Sequence, residues 1–221
     1  MSIGCYGTSS KQPTWCPRNC TCDGEKISVS CKDSNFTEIP PDLPTSVRIL
    51  ELSQNKLKKI SNRTFIKFQN LTSLSLNENE ISVIEKDAFK GLDNLQRLWE
   101  LILDKNSISS IQGGIFADVS SLQILRLSYN RLQYIDERTF SGLDHLSFLS
   151  LNNFGLKDAD PDVFQGLQSL RTLNLMNNEL RVINASSFPL HFLENITRLY
   201  LANNPFECSC ELFWFKNWIN E

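Results

Sequence analysis

LQILRLSYNRL, residues 122–132, is one copy of a frame, LxxLxLxxNxL, that recurs along the whole middle of the chain. The frame opens at Val47, Leu71, Leu98, Leu122, Leu146, Leu170 and Ile196, so successive starts lie 24, 27, 24, 24, 24 and 26 residues apart. The longer steps place a three-residue insertion around Leu95 to Leu98 and a two-residue one near His191. The frame Asn is Asn55, Asn79, Asn106, Asn130, Asn178 and Asn204. Phe154 stands where the fifth should be, and Asn153 is expected to supply its amide one residue early. A second ladder keeps the same register, because Phe65, Phe89, Phe116, Phe140, Phe164 and Phe188 each sit eighteen residues after a start. Self-similarity at such a period is the mark of a stacked array of repeats.

LxLxx is a short strand of period two, with its leucines facing inward and the residues between them facing out. One unit alone cannot bury its leucines, but stacked units bury them against each other. The phenylalanines close the opposite side, each contributing on the order of 1.5 to 3 kcal/mol when fully buried. The frame Asn sits where the chain turns sharply out of the strand. There its amide can both donate to and accept from backbone groups that the turn leaves unpaired. The expected fold is an α/β solenoid, curved, with a parallel sheet on the concave face and loops and short helical turns on the convex side. Seven strands spaced by about 4.8 Å give a sheet roughly 30 Å across.

Composition narrows the function. In 221 residues, 22 Lys and Arg stand against 25 Asp and Glu, giving a net charge of −3. No basic block could neutralise a row of phosphates, which argues against nucleic acid. No apolar run approaches the roughly 18 to 20 residues that span a bilayer, and MSIGCYGTSS lacks the apolar stretch of a signal peptide. The chain therefore reads as an already processed product without membrane insertion. Seven cysteines include six in two clusters at the ends, with none between Lys32 and Glu207. The first cluster, Cys16-x3-Cys20-x-Cys22-x8-Cys31, permits three pairings. Its C-x-C pair suits tetrahedral zinc poorly, so disulfides and an oxidising, extracellular setting are expected.

Both ends of the array are covered. Pro40, Pro41 and Pro44 in FTEIPPDLPTSV stop helix formation and deliver an extended chain to the first strand. After the last frame, NPFECSCELFWFKNWINE is apolar enough to lie on the solenoid end, as a short helix. CPRNCTCDGEKISVSC followed by IPPDLP resembles the N-terminal cap shared by variable lymphocyte receptors and Slit-type proteins. NPFECSCELFWFKNWINE resembles the C-terminal cap of Toll-like and variable lymphocyte receptors. The chain is thus similar to extracellular leucine-rich-repeat proteins, above all to variable lymphocyte receptors, because the array is short and carries both caps. That resemblance implies the interleaved bonds Cys16–Cys22 and Cys20–Cys31. It implies four cysteines in the last cap, so Cys208 and Cys210 are expected to pair with cysteines not in this chain. The organisation expected is a leader over residues 1–15, of the kind a vector contributes and holding Cys5, then an N-terminal cysteine-rich cap over 16–46. Six leucine-rich repeats follow over 47–195, then the last strand with a partial cap over 196–221.

Catalysis finds no support. The chain offers only His145 and His191, both late in their repeats, and no GxSxG, GxGxxG, phosphate-loop or HExxH motif. No cofactor and no metal are expected. Gly113-Gly114 falls where the convex turn needs positive φ. Sequons at Asn19, Asn35, Asn62, Asn70, Asn184 and Asn195 mark surface glycans in a secreted protein, and the four within the repeats lie at position fifteen or later, away from the strands. The apolar segment from Phe213 to Ile219 is expected to favour a homodimer.

The ligand surface follows from strand geometry. Third frame positions are Ile49, Ser73, Glu100, Ile124, Phe148, Thr172 and Arg198, and fifth positions are Glu51, Ser75, Ile102, Arg126, Ser150, Asn174 and Tyr200. Both sets point outward. The outer strands are mostly polar, whereas Ile102, Ile124 and Phe148 gather in the centre beside Arg126, with Tyr129 at an eighth position. That composition suits a binding hot spot, so Ile102, Ile124, Arg126, Tyr129 and Phe148 are the expected ligand-facing core. The resemblance implies an immune recognition module binding microbial surface molecules, proteins or glycans. The other reading is an adhesion, guidance or matrix protein acting through protein contacts.

Overall fold

The computed structural model describes residues 12–92, 98–132, 134–159, 162–182, 188, 190–207 and 215. Thirteen short strands are formed among these: β1 (Thr21–Cys22), β2 (Ser28–Ser30), β3 (Ile49–Glu51), β4 (Lys59–Ile60), β5 (Ser73–Ser75), β6 (Val83–Ile84), β7 (Glu100–Ile102), β8 (Ile124–Arg126), β9 (Tyr134–Ile135), β10 (Phe148–Ser150), β11 (Asp158–Ala159), β12 (Thr172–Asn174) and β13 (Arg198–Tyr200). The main sheet has nine strands in the order β1-β2-β3-β5-β7-β8-β10-β12-β13. Two more than the seven repeat strands arise because the first cysteine cluster makes its own antiparallel pair, β1 with β2. β2 then pairs parallel to β3, with Val29 beside Leu50.

Every repeat strand pairs parallel to the next in one unbroken register, with Leu50, Leu74, Leu101, Leu125, Leu149, Leu173 and Leu199 in a row. The first six of these leucines are buried. A one-residue slip would turn that row out to solvent, and this fixes the register. The opposite wall of the core is the phenylalanine ladder. Phe89 lies 6.0 Å from both Phe65 and Phe116, at interplanar angles of 5° and 22°. At the other end a short helix, α1 (Leu190–Asn195), occupies the place of the two-residue insertion. It brings Phe192 within 5.7 Å of Phe164 and 5.3 Å of Phe188.

The buried asparagines tie neighbouring turns together. Asn130 Nδ2 donates to Leu127 O at 2.7 Å in its own turn and to Leu103 O at 3.0 Å in the preceding one. Its Oδ1 accepts the Ile108 N–H at 3.0 Å. Asn55, Asn79, Asn106, Asn178 and Asn204 repeat the pattern. The residue before each ladder position is left-handed: Gln54, Glu78, Lys105, Tyr129, Asn153, Asn177 and Asn203 all have φ between 53° and 61°. The N–H groups of the first six donate to the next turn, as Tyr129 does to Asn152 O at 2.9 Å. This corrects the expectation for Asn153. It keeps the eighth position, with its N–H on Met176 O at 3.1 Å, and supplies no early amide. Phe154 itself fills the ladder site, fully buried.

On the convex side β4 pairs with β6 and β9 with β11, both parallel. The third repeat, between those pairs, runs instead through Gly113 and Gly114 into a 3-10 turn at Ala117–Val119. Only Gly114 has positive φ, at 79°. Gly113 serves close approach, because a Cβ there would lie 2.7 Å from Arg138 Cβ.

In the first cap Cys16 is bonded to Cys22 and Cys20 to Cys31. Asn55 Nδ2 donates to Cys31 O at 2.8 Å, which joins the cap to the first repeat. Cys5, Cys208, Cys210, Asn184 and the Leu95 side of the three-residue insertion lie outside the described residues, as do Phe213, Trp214, Trp218 and Ile219 of the segment expected to dimerise. Among the described residues no helix is long and apolar enough to cross a membrane.

Candidate ligand-binding face

Three-residue strands alternate once, so positions three and five face away from the leucines on the concave surface. There the structure puts Ile102 on β7 beside Arg126 on β8, and Ile124 on β8 beside Phe148 on β10. Tyr129 follows three residues after Arg126, and its left-handed backbone sets its ring at the rim, half exposed. The five residues thus form one patch on three adjacent strands. Ile102, Ile124 and Phe148 are half-buried, whereas Arg126 is exposed.

Arg126 is anchored. Its Nε donates to Asp104 Oδ2 at 2.8 Å, and Asp104 Oδ1 accepts the Ser128 N–H at 2.6 Å. Asp104 sits at a seventh frame position, a row that strand alternation leaves out. An acid at position seven followed by Arg at position five of the next repeat is the signal that would have found it. Ser128 and Asn152 of the same row are joined through Ser150 on β10, because Ser128 Oγ lies 2.8 Å from Ser150 Oγ and Ser150 Oγ donates to Asn152 Oδ1 at 3.0 Å. Ile49 and Tyr200 also stand apart from expectation. They lie on the outermost repeat strands yet are 46% and 42% exposed, more than the three apolar residues at the centre.

Carboxylates crowd the N-terminal half of this face. Glu51 Oε1 accepts the Ser53 N–H at 2.8 Å, and Glu100 Oε2 accepts the Ser73 hydroxyl at 2.7 Å. At the rim Glu78 takes the Gln54 amide at 3.1 Å and Lys105 Nζ at 3.3 Å. The amide of Gln54 first, and Lys105 second, hold its carboxyl below the ordinary glutamate range.

A family model for the leucine rich repeat matches residues 45–99, 96–153 and 149–206. The chain belongs to the leucine-rich repeat family. Human leucine-rich repeat-containing protein 3B is 32% identical over 141 residues, 63% of this chain and 43% of that protein. The leucine-rich repeat and immunoglobulin-like domain-containing nogo receptor-interacting protein 1 of Xenopus tropicalis is 38% identical over 73 residues, 33% of this chain and 12% of that protein. The chain spans less than half the length of these curated relatives. The crystal structure of human 5T4 (Wnt-activated inhibitory factor 1, trophoblast glycoprotein) superposes with a TM-score of 0.64 at 24% identity, covering 92% of this chain and 87% of that one. This last likeness is one of fold.

The leucine-rich repeat array also places the sites that lie off the concave sheet. Asn19, Asn35, Asn62 and Asn195 are exposed, and Asn70 is half-buried with Nδ2 3.5 Å from Thr45 O. None of these five sequons is on a strand of the main sheet. His145 is exposed with Nδ1 3.2 Å from Ser120 O, and the His191 side chain lies outside the described residues. Among the described residues no three His, Cys, Asp or Glu side chains are grouped to hold a metal ion. A hollow of 520 Å³ at Ser110 and Tyr134 and one of 380 Å³ at Pro41 and Lys67 are both lined by residues off the main sheet.

Proposed function

We propose that this leucine-rich repeat chain is a recognition module that acts by binding, not catalysis, outside the cell, as a secreted protein or as part of a cell-surface one. Its ligand docks on the concave face. The observation that carries this reading is the patch of Ile102, Ile124, Phe148 and Tyr129 around an anchored Arg126, apolar and aromatic at the centre with a polar surround. The bonded cysteines of the first cap favour an oxidising compartment. The resemblance of the caps to those of variable lymphocyte receptors favours immune recognition of microbial surface molecules, proteins or glycans. A second reading, an adhesion, guidance or matrix protein, is favoured by the relative whose name records interaction with a nogo receptor.

The test is a binding screen against bacterial surfaces, glycan arrays and receptor ectodomains, run beside a self-association measurement by light scattering. Binding to microbes supports the first reading, and binding to ectodomains alone the second. Phe148→Ala and Tyr129→Ala should weaken whatever binding is found while leaving thermal unfolding unchanged. If both variants bind as tightly as the parent and the convex variant Val83→Ala binds less, the concave face is not the ligand surface.

A further inference from the structure

We infer that the concave face selects an acidic, extended protein segment, with one carboxylate on Arg126 and a second on Arg198; this rests on the concave face being the ligand surface. Charge on that face is segregated along the array. Up to β7, outward positions three, five, seven and eight hold Glu51, Glu78, Glu100 and Asp104, with Lys105 as their one cation. From β8 to β13 the same positions hold Arg126 and Arg198 and no carboxylate at all. An acidic partner is therefore repelled by one half of the face and drawn to the other, which sets its position and not only its affinity.

Arg126 is prepared for a carboxylate. Only its Nε is engaged, by Asp104 at 2.8 Å. Asp104 is held in turn by the Ser128 N–H and its side chain is 11% exposed, so the clamp does not swing away. Both terminal nitrogens of the guanidinium are without a hydrogen-bond partner among the described residues. A planar fork fixed at Nε presents those nitrogens end-on, the geometry that binds a carboxylate through two hydrogen bonds. Because the side chain is already fixed, little rotamer entropy is lost when a partner arrives. Ile102 and Phe148 exclude water around the contact once it is covered, which strengthens it.

Arg198 is exposed on β13 and makes no side-chain hydrogen bond or ion pair among the described residues. Three strand spacings separate β8 from β13 through β10 and β12, about 14 Å across the sheet. Arg126 and Arg198 are also two residues, about 7 Å, apart along the strands, so the two positions lie about 16 Å apart. In an extended chain, residues four apart span about 14 Å and point to the same face, and the long arginine side chains reach the remainder. The segment that fits thus carries two acidic side chains four positions apart, with an apolar side chain midway between them over Phe148.

A random 12-residue peptide library displayed on phage, panned on the folded protein, tests this. The enriched peptides should carry an Asp or Glu pair at that spacing. Synthetic copies should bind about tenfold or more weakly to Arg126→Ala, the loss expected for one charge-assisted pair of hydrogen bonds, and more weakly to Arg198→Ala. Arg126→Lys should recover only part of the binding, because an ammonium cannot present the fork. Peptides that lose binding in Phe148→Ala but show no acidic enrichment and ignore Arg126→Ala overturn the acidic specificity alone. Peptides indifferent to Phe148→Ala, Tyr129→Ala and Arg126→Ala alike overturn the concave reading as well. An unenriched library overturns the inference, as does heparin binding that is lost in Arg126→Ala where no peptide binds.

Discussion

Asn178 Oδ1 accepts the backbone N–H of Phe154 at 3.0 Å and that of Leu156 at 3.1 Å, so one amide serves two donors in the turn that has no ladder asparagine. Asn130, with an intact rung before it, accepts only the Ile108 N–H at 3.0 Å. Both residues donate to the same three kinds of carbonyl.

Asn178→Ala should therefore cost more stability than Asn130→Ala, by about 1 kcal/mol, the penalty for one more buried donor left without a partner. Urea midpoints of the two variants measure it. Equal midpoints would mean that Phe154 packing, and not Asn178, holds the fifth turn together.

Two phenylalanines of one solenoid should respond to truncation by very different amounts. Phe89, buried between Phe65 and Phe116, should cost about 3 to 5 kcal/mol on truncation to Ala. Phe148 is half-buried on the concave face, and its truncation should cost less than about 1 kcal/mol. Thermal unfolding of both variants checks the contrast.

The two disulfides are not equivalent. Cys20 and Cys31 are buried, and Cys31 also donates its N–H to Glu51 O at 2.8 Å and accepts from Asn55, whereas Cys16 and Cys22 are half-buried at the edge. Replacing the Cys20–Cys31 pair by serines should destabilise the cap more than replacing Cys16–Cys22, within the usual range of about 2 to 5 kcal/mol. Limited proteolysis of residues 16–46 in each variant gives the order.

Glu78 provides a pH test. Its carboxyl is held low by the Gln54 amide and by Lys105, so folding favours its charged form. The stability it lends is present above the ordinary glutamate range and is lost as pH falls through its lowered folded value. Gln54→Ala should raise the Glu78 midpoint toward the ordinary value, and Lys105→Ala should raise it less. A titration of the Glu78 side-chain carboxyl by carbon NMR reads both, and midpoints unmoved in both variants would contradict the bonding seen here.

Most of the architecture was legible because two periodic signals, the leucine frame and the phenylalanine ladder, share one register, and each has a direct packing meaning. The extra strands β1 and β2 were not legible. Ser28–Ser30 has one apolar residue, and its place in the sheet comes from tertiary pairing with β3 and from the cystine that fixes Cys31. Asn153 misled because an amide one place early looks equivalent in sequence. The left-handed backbone at every eighth position fixes the register and sends that side chain to the rim. On the concave face, alternation located Arg126 but could not find Asp104, since position seven lies in the turn beyond the strand, where period two no longer applies.

The asparagine ladder has a further consequence for how such a molecule changes over time. Each amide touches only its own turn and the turns immediately beside it, and the sheet register is the same at every seam from β3 to β13. Duplicating residues 146–169 would add one turn and one new seam in the same register, and deleting them would rejoin turns of the same frame. Length is thus a nearly free variable for this scaffold. Such an event would move Arg126 and Arg198 apart or together by one strand spacing, about 4.8 Å, and retune which partner fits without a single point substitution.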